Sequence, residues 1–274
     1  MSVNIYKVAY QGDIGSYSYE LLVNLFPNVE SVPCSSFSEL ISFVKKEKVH
    51  GLLPVENSIA GTVNEAYEEL IESNLNIFGE YIKKIDHALI GLPNSEIGNI
   101  KKVKSHPQAL QQCNQYLNKN HFELIPIFDT AGGVFQLLEE LDVTVAAIAG
   151  SHFEKDKRFK ILKKKISNHD ENFTRFLLIG DMQPNLNYQP NKVSSVLISD
   201  DKPGSLLKAL NVFELLNINL TKLESRPILG RPWEYKFYVD FELKNVAELE
   251  IIVNKILEVS KEFKILGLYP KFSP

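Results

Sequence analysis

The residues best suited to chemistry fall in short polar stretches: Gly12-Asp13-Ile14-Gly15-Ser16, Glu56-Asn57-Ser58, His106-Pro107-Gln108 with Gln111-Gln112, Asp129-Thr130, and Asn172-Phe173-Thr174-Arg175-Phe176. Together they offer amides, hydroxyls, an acid and a guanidinium. A guanidinium pairs with a carboxylate through two parallel hydrogen bonds. A threonine hydroxyl is a very weak acid, so Thr174 can serve only as a positioned donor or relay. Each stretch alone has a plain structural reading as a cap, a turn or an edge strand. Their weight lies in their number, because several such loops can face one point.

Composition removes other classes of function. A formal net charge of -4 argues against a nucleic-acid binder, and the basic run Lys163-Lys164-Lys165 follows an alternating segment, Phe159 to Lys163, that reads as a half-exposed strand. The two cysteines, Cys34 and Cys113, are too few for a disulfide framework and lack metal-ligand spacing with the six histidines. No cleavable leader and no uninterrupted apolar run of about 18 residues is found. The expectation is a cytoplasmic, reduced protein with no metal and no cofactor. Neither a P-loop ending nor a GxGxxG with its downstream acid occurs, so nucleotides are not expected ligands.

These stretches must be positioned by the elements around them. Val3 to Tyr10 reads as a first strand, followed by a helix with Tyr17, Leu21, Leu22 and Leu25 on its apolar stripe. Ser36 with Glu39, and Thr62 with Glu65, have capping-box spacing and open amphipathic helices. Gly51–Val55, Asp86–Leu92, Leu124–Phe128 and Val143–Ala149 read as strands, and a helix runs from Pro107 through Leu117 with Cys113 in its core face. Thr174 and Phe176 fall on one face of a strand through Ile179, and Phe173 and Arg175 on the other. The order strand, polar loop, helix specifies an α/β fold. Helix starts after Gly15, Gly61, Pro107 and Thr130 would offer positive dipole ends to a small carboxylate.

Residues 181–192, with two prolines and little apolar material, read as a linker. Beyond it, the order βαββαβ over residues 193–274 is the ferredoxin-like arrangement. Gly204 opens its first helix, where a backbone without Cβ permits close approach of another group.

The polar stretches from Gly12 to Ser18, Pro54 to Ser58, His106 to Cys113, Asp129 to Ala131 and Asn172 to Phe176 resemble, in order and spacing, those of the prephenate dehydratase family. The tail, with Gly204-Ser205-Leu206-Leu207 and Glu224-Ser225-Arg226-Pro227, resembles that family's ACT regulatory domain. The resemblance implies a catalytic part, 1–180, of two α/β subdomains around a cleft, the plan also of periplasmic solute-binding proteins. It implies decarboxylating dehydration of prephenate to phenylpyruvate, phenylalanine bound at the tail and a homodimer or tetramer paired through ACT units. By position, catalytic roles fall on Thr174, Asn57, Gln112 and Glu56. Ser58, Arg175, Phe176, Ser16, Thr130 and His106 are expected to bind substrate, and the two tail motifs the effector. Departures sit at Tyr10-Gln11, Gly132-Gly133 and Gly150. Arogenate dehydratase shares the motifs, and a cytosolic amino-acid sensor is the non-enzymatic alternative. No nucleic-acid or membrane partner is expected.

Overall fold

The computed structural model of the chain describes residues 4–185 and 189–271; Val3 of the expected first strand and residues 186–188 of the expected linker lie outside them. The chain forms two compact units. One comprises Ile5–Glu69 with Ile82–Phe176, the other Leu70–Tyr81 with the chain from Leu177 onward.

The chain begins β1 (Lys7–Gln11), α1 (Tyr17–Leu25), β2 (Glu30–Cys34), α2 (Phe37–Glu47), β3 (His50–Asn57), β4 (Gly61–Thr62), α3 (Asn64–Ser73) and β5 (Asn76–Lys84). It continues β6 (His87–Gly91), β7 (Lys102–Ser105), α4 (Pro107–Gln112), α5 (Asn114–Lys119), β8 (Glu123–Pro126), α6 (Thr130–Glu140), β9 (Val145–Gly150), β10 (Lys160–Lys163) and β11 (Phe173–Gly180). The first sheet has the order β2-β1-β3-β11-β5, with β4 on β3. Parallel pairing of β1 with β2 and β3 places the ends of β1 and β3 side by side. The second sheet runs β10-β6-β9-β7-β8. Its parallel strands β7, β8 and β9 are covered on one face by α6, through Ala131, Val134 and Leu137, and on the other by α4 and α5, through Leu110, Cys113 and Leu117. Burial on both faces explains why β9 is apolar throughout.

Helix starts follow the capping rules. Ser16 Oγ accepts from Tyr19 N, Ser36 Oγ from Glu39 N and Asp129 Oδ1 from Gly132 N. Glu39 returns to the backbone N–H of Ser35, one residue earlier than a strict capping box requires. Thr62 lies in β4, and its helix starts at Asn64.

The helix expected from Pro107 through Leu117 is broken at Cys113, which sits at φ -114, ψ 9. No glycine or proline marks the break. Asn168 replaces the lost turn: its N–H donates to Gln112 O at 2.7 Å, its Nδ2 to Gln111 O, and its Oδ1 accepts from Gln115 N. The ends left open at the break are thus satisfied from 50 residues or more away in sequence.

In the other unit β12 (Lys192–Ile198), α7 (Ser205–Leu215), β13 (Leu220–Ile228), β14 (Arg231–Glu242), α8 (Glu248–Leu257) and β15 (Glu262–Tyr269) form an antiparallel sheet of order β13-β14-β12-β15. This is the ferredoxin-like βαββαβ arrangement. Ala209, Phe213, Ile252 and Ile256 of the helices pack on Val193, Leu197, Val239 and Phe241. The helix expected from Val246 to Phe263 stops at Leu257, because Glu262 and Phe263 pair with Ile198 and Leu197 of β12.

Residues 70–81 belong with this sheet by packing. Lys192 Nζ lies 2.6 Å from the fully buried Glu80 carboxylate, and Lys264 Nζ reaches Ile71 O and Asn74 Oδ1. Gly267 passes so close to Ile77 that an added Cβ would stand 2.3 Å from the Ile77 carbonyl oxygen. The expected division at 181–192 had assigned this stretch to the catalytic part. Among the described residues no helix is long and apolar enough to cross a membrane.

Candidate active site

Asn57, the last residue of β3, is the anchor of the polar site. Its Oδ1 accepts from the backbone N–H groups of Ile59 at 3.0 Å and Ala60 at 2.9 Å. Its Nδ2 stands 3.1 Å from the carbonyl oxygen of Phe173. Backbone donors on one side and a backbone acceptor on the other admit only one orientation of the amide. Asn57 Nδ2 is also 2.7 Å from Asn172 Oδ1 and 3.0 Å from Thr174 Oγ1. An amide nitrogen cannot accept, so the Thr174 hydroxyl proton must point away from Asn57.

The same direction passes along a buried row. Asn172, fully buried at the entry to β11, spends its Oδ1 on Asn57 and turns its Nδ2 to Gln112 Oε1 at 3.1 Å. Gln112 Oε1 also lies 2.8 Å from His87 Nε2. His87 Nδ1 lies 3.0 Å from the Tyr17 hydroxyl, which is 2.7 Å from Asp86 O. Burial raises Tyr17 well above the usual phenol value, so its hydroxyl stays protonated; burial also holds His87 below the usual imidazole value, against opposing effects of Gln112 and Asp86. Five segments of chain meet in this row: α1, β3, β6, α4 and β11.

Thr174, Asn57 and Gln112 are therefore brought together. Glu56 and Arg175 form a separate pair on the other face of the strands, as alternation requires. Arg175 is 8% exposed, with a guanidinium nitrogen 3.4 Å from both Glu56 Oε2 and the Tyr67 hydroxyl. Ser58 ties the two strand ends together, accepting from Phe173 N and donating to Glu171 O. Phe176 is 1% exposed, a core residue with no surface left for a substrate. Ser16 and His106 act as helix caps, His106 through Nδ1 accepting from Gln108 N. Thr130 opens α6, where the Asp129 carboxylate already occupies the anion position of the helix start. Cys113 is fully buried and its thiol is pushed up to about 12 by that burial, which suits core packing and not nucleophilic attack.

His87, Tyr17 and, as a full member of the row, Asn172 were missed in the sequence. The available signals were a histidine beside Asp86 at the mouth of an apolar strand, and an asparagine heading the Thr174 stretch.

In the effector stretch, Gly204 takes a left-handed φ of 81 as N-cap of α7, without a side-chain cap, and Ser205 is buried beneath it. Leu206 is partly buried and Leu207 is 61% exposed. On β13, Glu224 pairs with both Lys222 and Arg226, while Ser225 and Pro227 are exposed.

The frame is that of an α/β protein, and the row gathers amide, hydroxyl and imidazole groups at one place. The prephenate dehydratase family matches residues 8–184, and the chain belongs to that family. It is 36% identical over 96% of its length to arogenate dehydratase/prephenate dehydratase 2, chloroplastic, of Arabidopsis thaliana, covering 72% of that protein. Among solved structures it is similar to GqqA, described as a novel type of quorum quenching acylase, with TM-score 0.86, 27% identity and 98% of each chain covered. It also shares the fold of prephenate dehydratase from Arthrobacter aurescens in complex with L-Phe, with TM-score 0.85, 23% identity, 96% of this chain and 89% of that one covered.

The loop before α1 is held by charge. His152 Nε2 reaches Gly15 O at 2.8 Å, and Glu20 Oε2 lies 3.0 Å from His152 Nδ1 and 2.7 Å from Lys83 Nζ. Gly150 leaves room for this ring, since a Cβ there would fall 2.4 Å from His152 Nδ1 and 2.9 Å from the Tyr17 ring. Burial raises the Glu20 carboxyl, but the His152 and Lys83 contacts outweigh it and leave the group at about 2 instead of 4.5. A carboxyl depressed on folding adds stability above its unfolded value and loses it as pH falls toward the folded one. Glu20→Gln should therefore be less stable than the parent by on the order of 2 kcal/mol at pH 7. Denaturant titrations should show that gap closing between pH 4.5 and about 2. A gap constant across that window would remove the charge from the account.

Proposed function

We propose that the chain converts prephenate to phenylpyruvate, with Thr174 donating a hydrogen bond to the departing ring hydroxyl. The observation that carries this is the fixed amide of Asn57, which leaves the Thr174 hydroxyl proton without an acceptor among the described residues. In the proposed step the ring C–O bond breaks and its electron pair leaves on oxygen as water. One proton is consumed, relayed to that oxygen through the Thr174 hydroxyl. The bond to the ring carboxylate breaks, its pair enters the ring, and carbon dioxide departs. Aromatisation supplies the driving force, so no cofactor is assigned. Gln112 is proposed to meet the substrate with its amide nitrogen, since its Oε1 is already shared by His87 and Asn172. Arg175, on the other face, is proposed to work through Glu56 by holding β11 to β3, in place of the direct carboxylate contact expected from its type. The division into a catalytic part, a linker and a regulatory tail remains part of this proposal, as does the cleft between subdomains.

Amide hydrolysis, the reading suggested by the acylase neighbour, fits the site less well. It calls for a base or an activated nucleophile, and the histidine nearest Thr174 in the row has Nε2 committed to Gln112. Purified protein assayed side by side with prephenate and arogenate should release carbon dioxide and turn over prephenate preferentially. Thr174→Val keeps the shape and should lower kcat by about 10²–10⁴-fold with the melting temperature unchanged. A valine variant of near-parental turnover would remove Thr174 from the chemistry.

The tail is proposed to be an ACT unit that binds phenylalanine and pairs with a second copy. At Gly204 an added Cβ would meet nothing within 4 Å, so the uncapped start of α7 is open to an amino-acid carboxylate. Leu229 and Trp233, each 84% exposed, give the β13–β14 hairpin an apolar tip suited to a partner. An effector controls activity only if it binds two states unequally. Phenylalanine should accordingly inhibit turnover and raise the melting temperature. Calorimetry showing no binding at millimolar phenylalanine would leave the tail a pairing domain alone.

A further inference from the structure

We infer that His87 is a positioning residue, whose Nε2–H fixes the Gln112 side chain with its amide nitrogen turned to the substrate. The inference rests on the proposed role of Gln112 as a donor and goes on to say what holds that role in place. Gln112 Oε1 receives Asn172 Nδ2 at 3.1 Å and faces His87 Nε2 at 2.8 Å. Asn172 cannot be turned over, because its Oδ1 faces Asn57 Nδ2 and Asn57 is locked by the backbone of Phe173, Ile59 and Ala60. The oxygen of Gln112 must therefore point at His87, and an oxygen at 2.8 Å requires a proton on Nε2.

The other side of the ring must then offer Nδ1 a donor: the Tyr17 hydroxyl, kept protonated by burial, lies 3.0 Å from Nδ1 and 2.7 Å from Asp86 O, and its one proton is shared between these two acceptors. His87 is 2% exposed, so water does not compete for the ring. The Tyr17 ring stands edge-on to His87 at 5.9 Å between centroids, which fixes the plane of the imidazole. With Oε1 shared by two donors, both hydrogens of Gln112 Nε2 are left without a partner among the described residues. Thr174 O–H and Gln112 N–H₂ are then the two donors that the row leaves for a substrate. An inverted Gln112 would present an oxygen to the carboxylates or hydroxyl of prephenate, and would repel what it should hold.

Two measurements test this. In protein labelled with ¹⁵N-histidine, the imidazole resonances of His87 should show a protonated Nε2; an unprotonated Nε2 overturns the inference whatever the activity. His87→Leu should lower kcat by about tenfold or more, because Gln112 Oε1 keeps only the Asn172 donor and its side chain is held at one point instead of two. His87→Gln places an amide N–H₂ near the former Nε2 and should recover most of that loss. If His87→Leu folds and keeps parental kcat, or if both variants lose activity only in proportion to melting temperature, His87 merely packs. Wild-type turnover of prephenate is measured in the same series, so failure of the substrate assignment is seen separately from failure of the tautomer.

Discussion

The site depends on one amide whose orientation the backbone dictates. Asn57 closes the turn after β3 with its oxygen and grips the start of β11 with its nitrogen. A reversed amide would set oxygen against the Phe173 carbonyl and nitrogen against two N–H groups, leaving buried groups unpaired at about 1–3 kcal/mol each. That cost gives the row its direction. The Thr174 proton is turned outward at one end and the Gln112 nitrogen is freed at the other, without any charged group being buried among them. Hydrogen-bonded rows of this kind also strengthen along their length when water is excluded.

The α/β order, the main strand positions and the helix starts were legible because they are local. Ser16, Ser36 and Asp129 each cap within three residues, and β9 declares its burial through an unbroken apolar run. Thr174, Asn57 and Gln112 were found through their residue types and through likeness to a family. What escaped was set by distant partners. His87 meets Gln112 25 residues away and Tyr17 70 residues away, so nothing beside it in the chain distinguishes it from a strand residue. The helix break at Cys113 comes from Asn168, which local propensity cannot anticipate. Arg175, expected by type to meet a carboxylate, lies beside Glu56, and Phe176, expected at the substrate, is buried in the core.

Residues 70–81 carry a further lesson about units. By chain order they sit among the first sheet's elements, and β5 is an edge of that sheet. By packing they join the tail, through the buried Glu80–Lys192 pair and the close approach of Gly267 to Ile77. A buried ion pair adds little net stability but is costly to break from one side, so Glu80 and Lys192 fix the register of this contact more than its strength. Composition could not reveal this, because the joining residues are an acid and a lysine that on their own read as surface groups.

The claim that Asn57 and Thr174 act as one unit is tested most directly by a double-mutant cycle on prephenate turnover. Asn57→Ala, Thr174→Val and the double variant would be compared by kcat/KM, with folding checked by melting temperature. Groups that act through each other are strongly non-additive. The double variant should lose little more than the worse of the two single variants. Losses that simply multiply would mean that Thr174 is not oriented by Asn57, and would contradict the account.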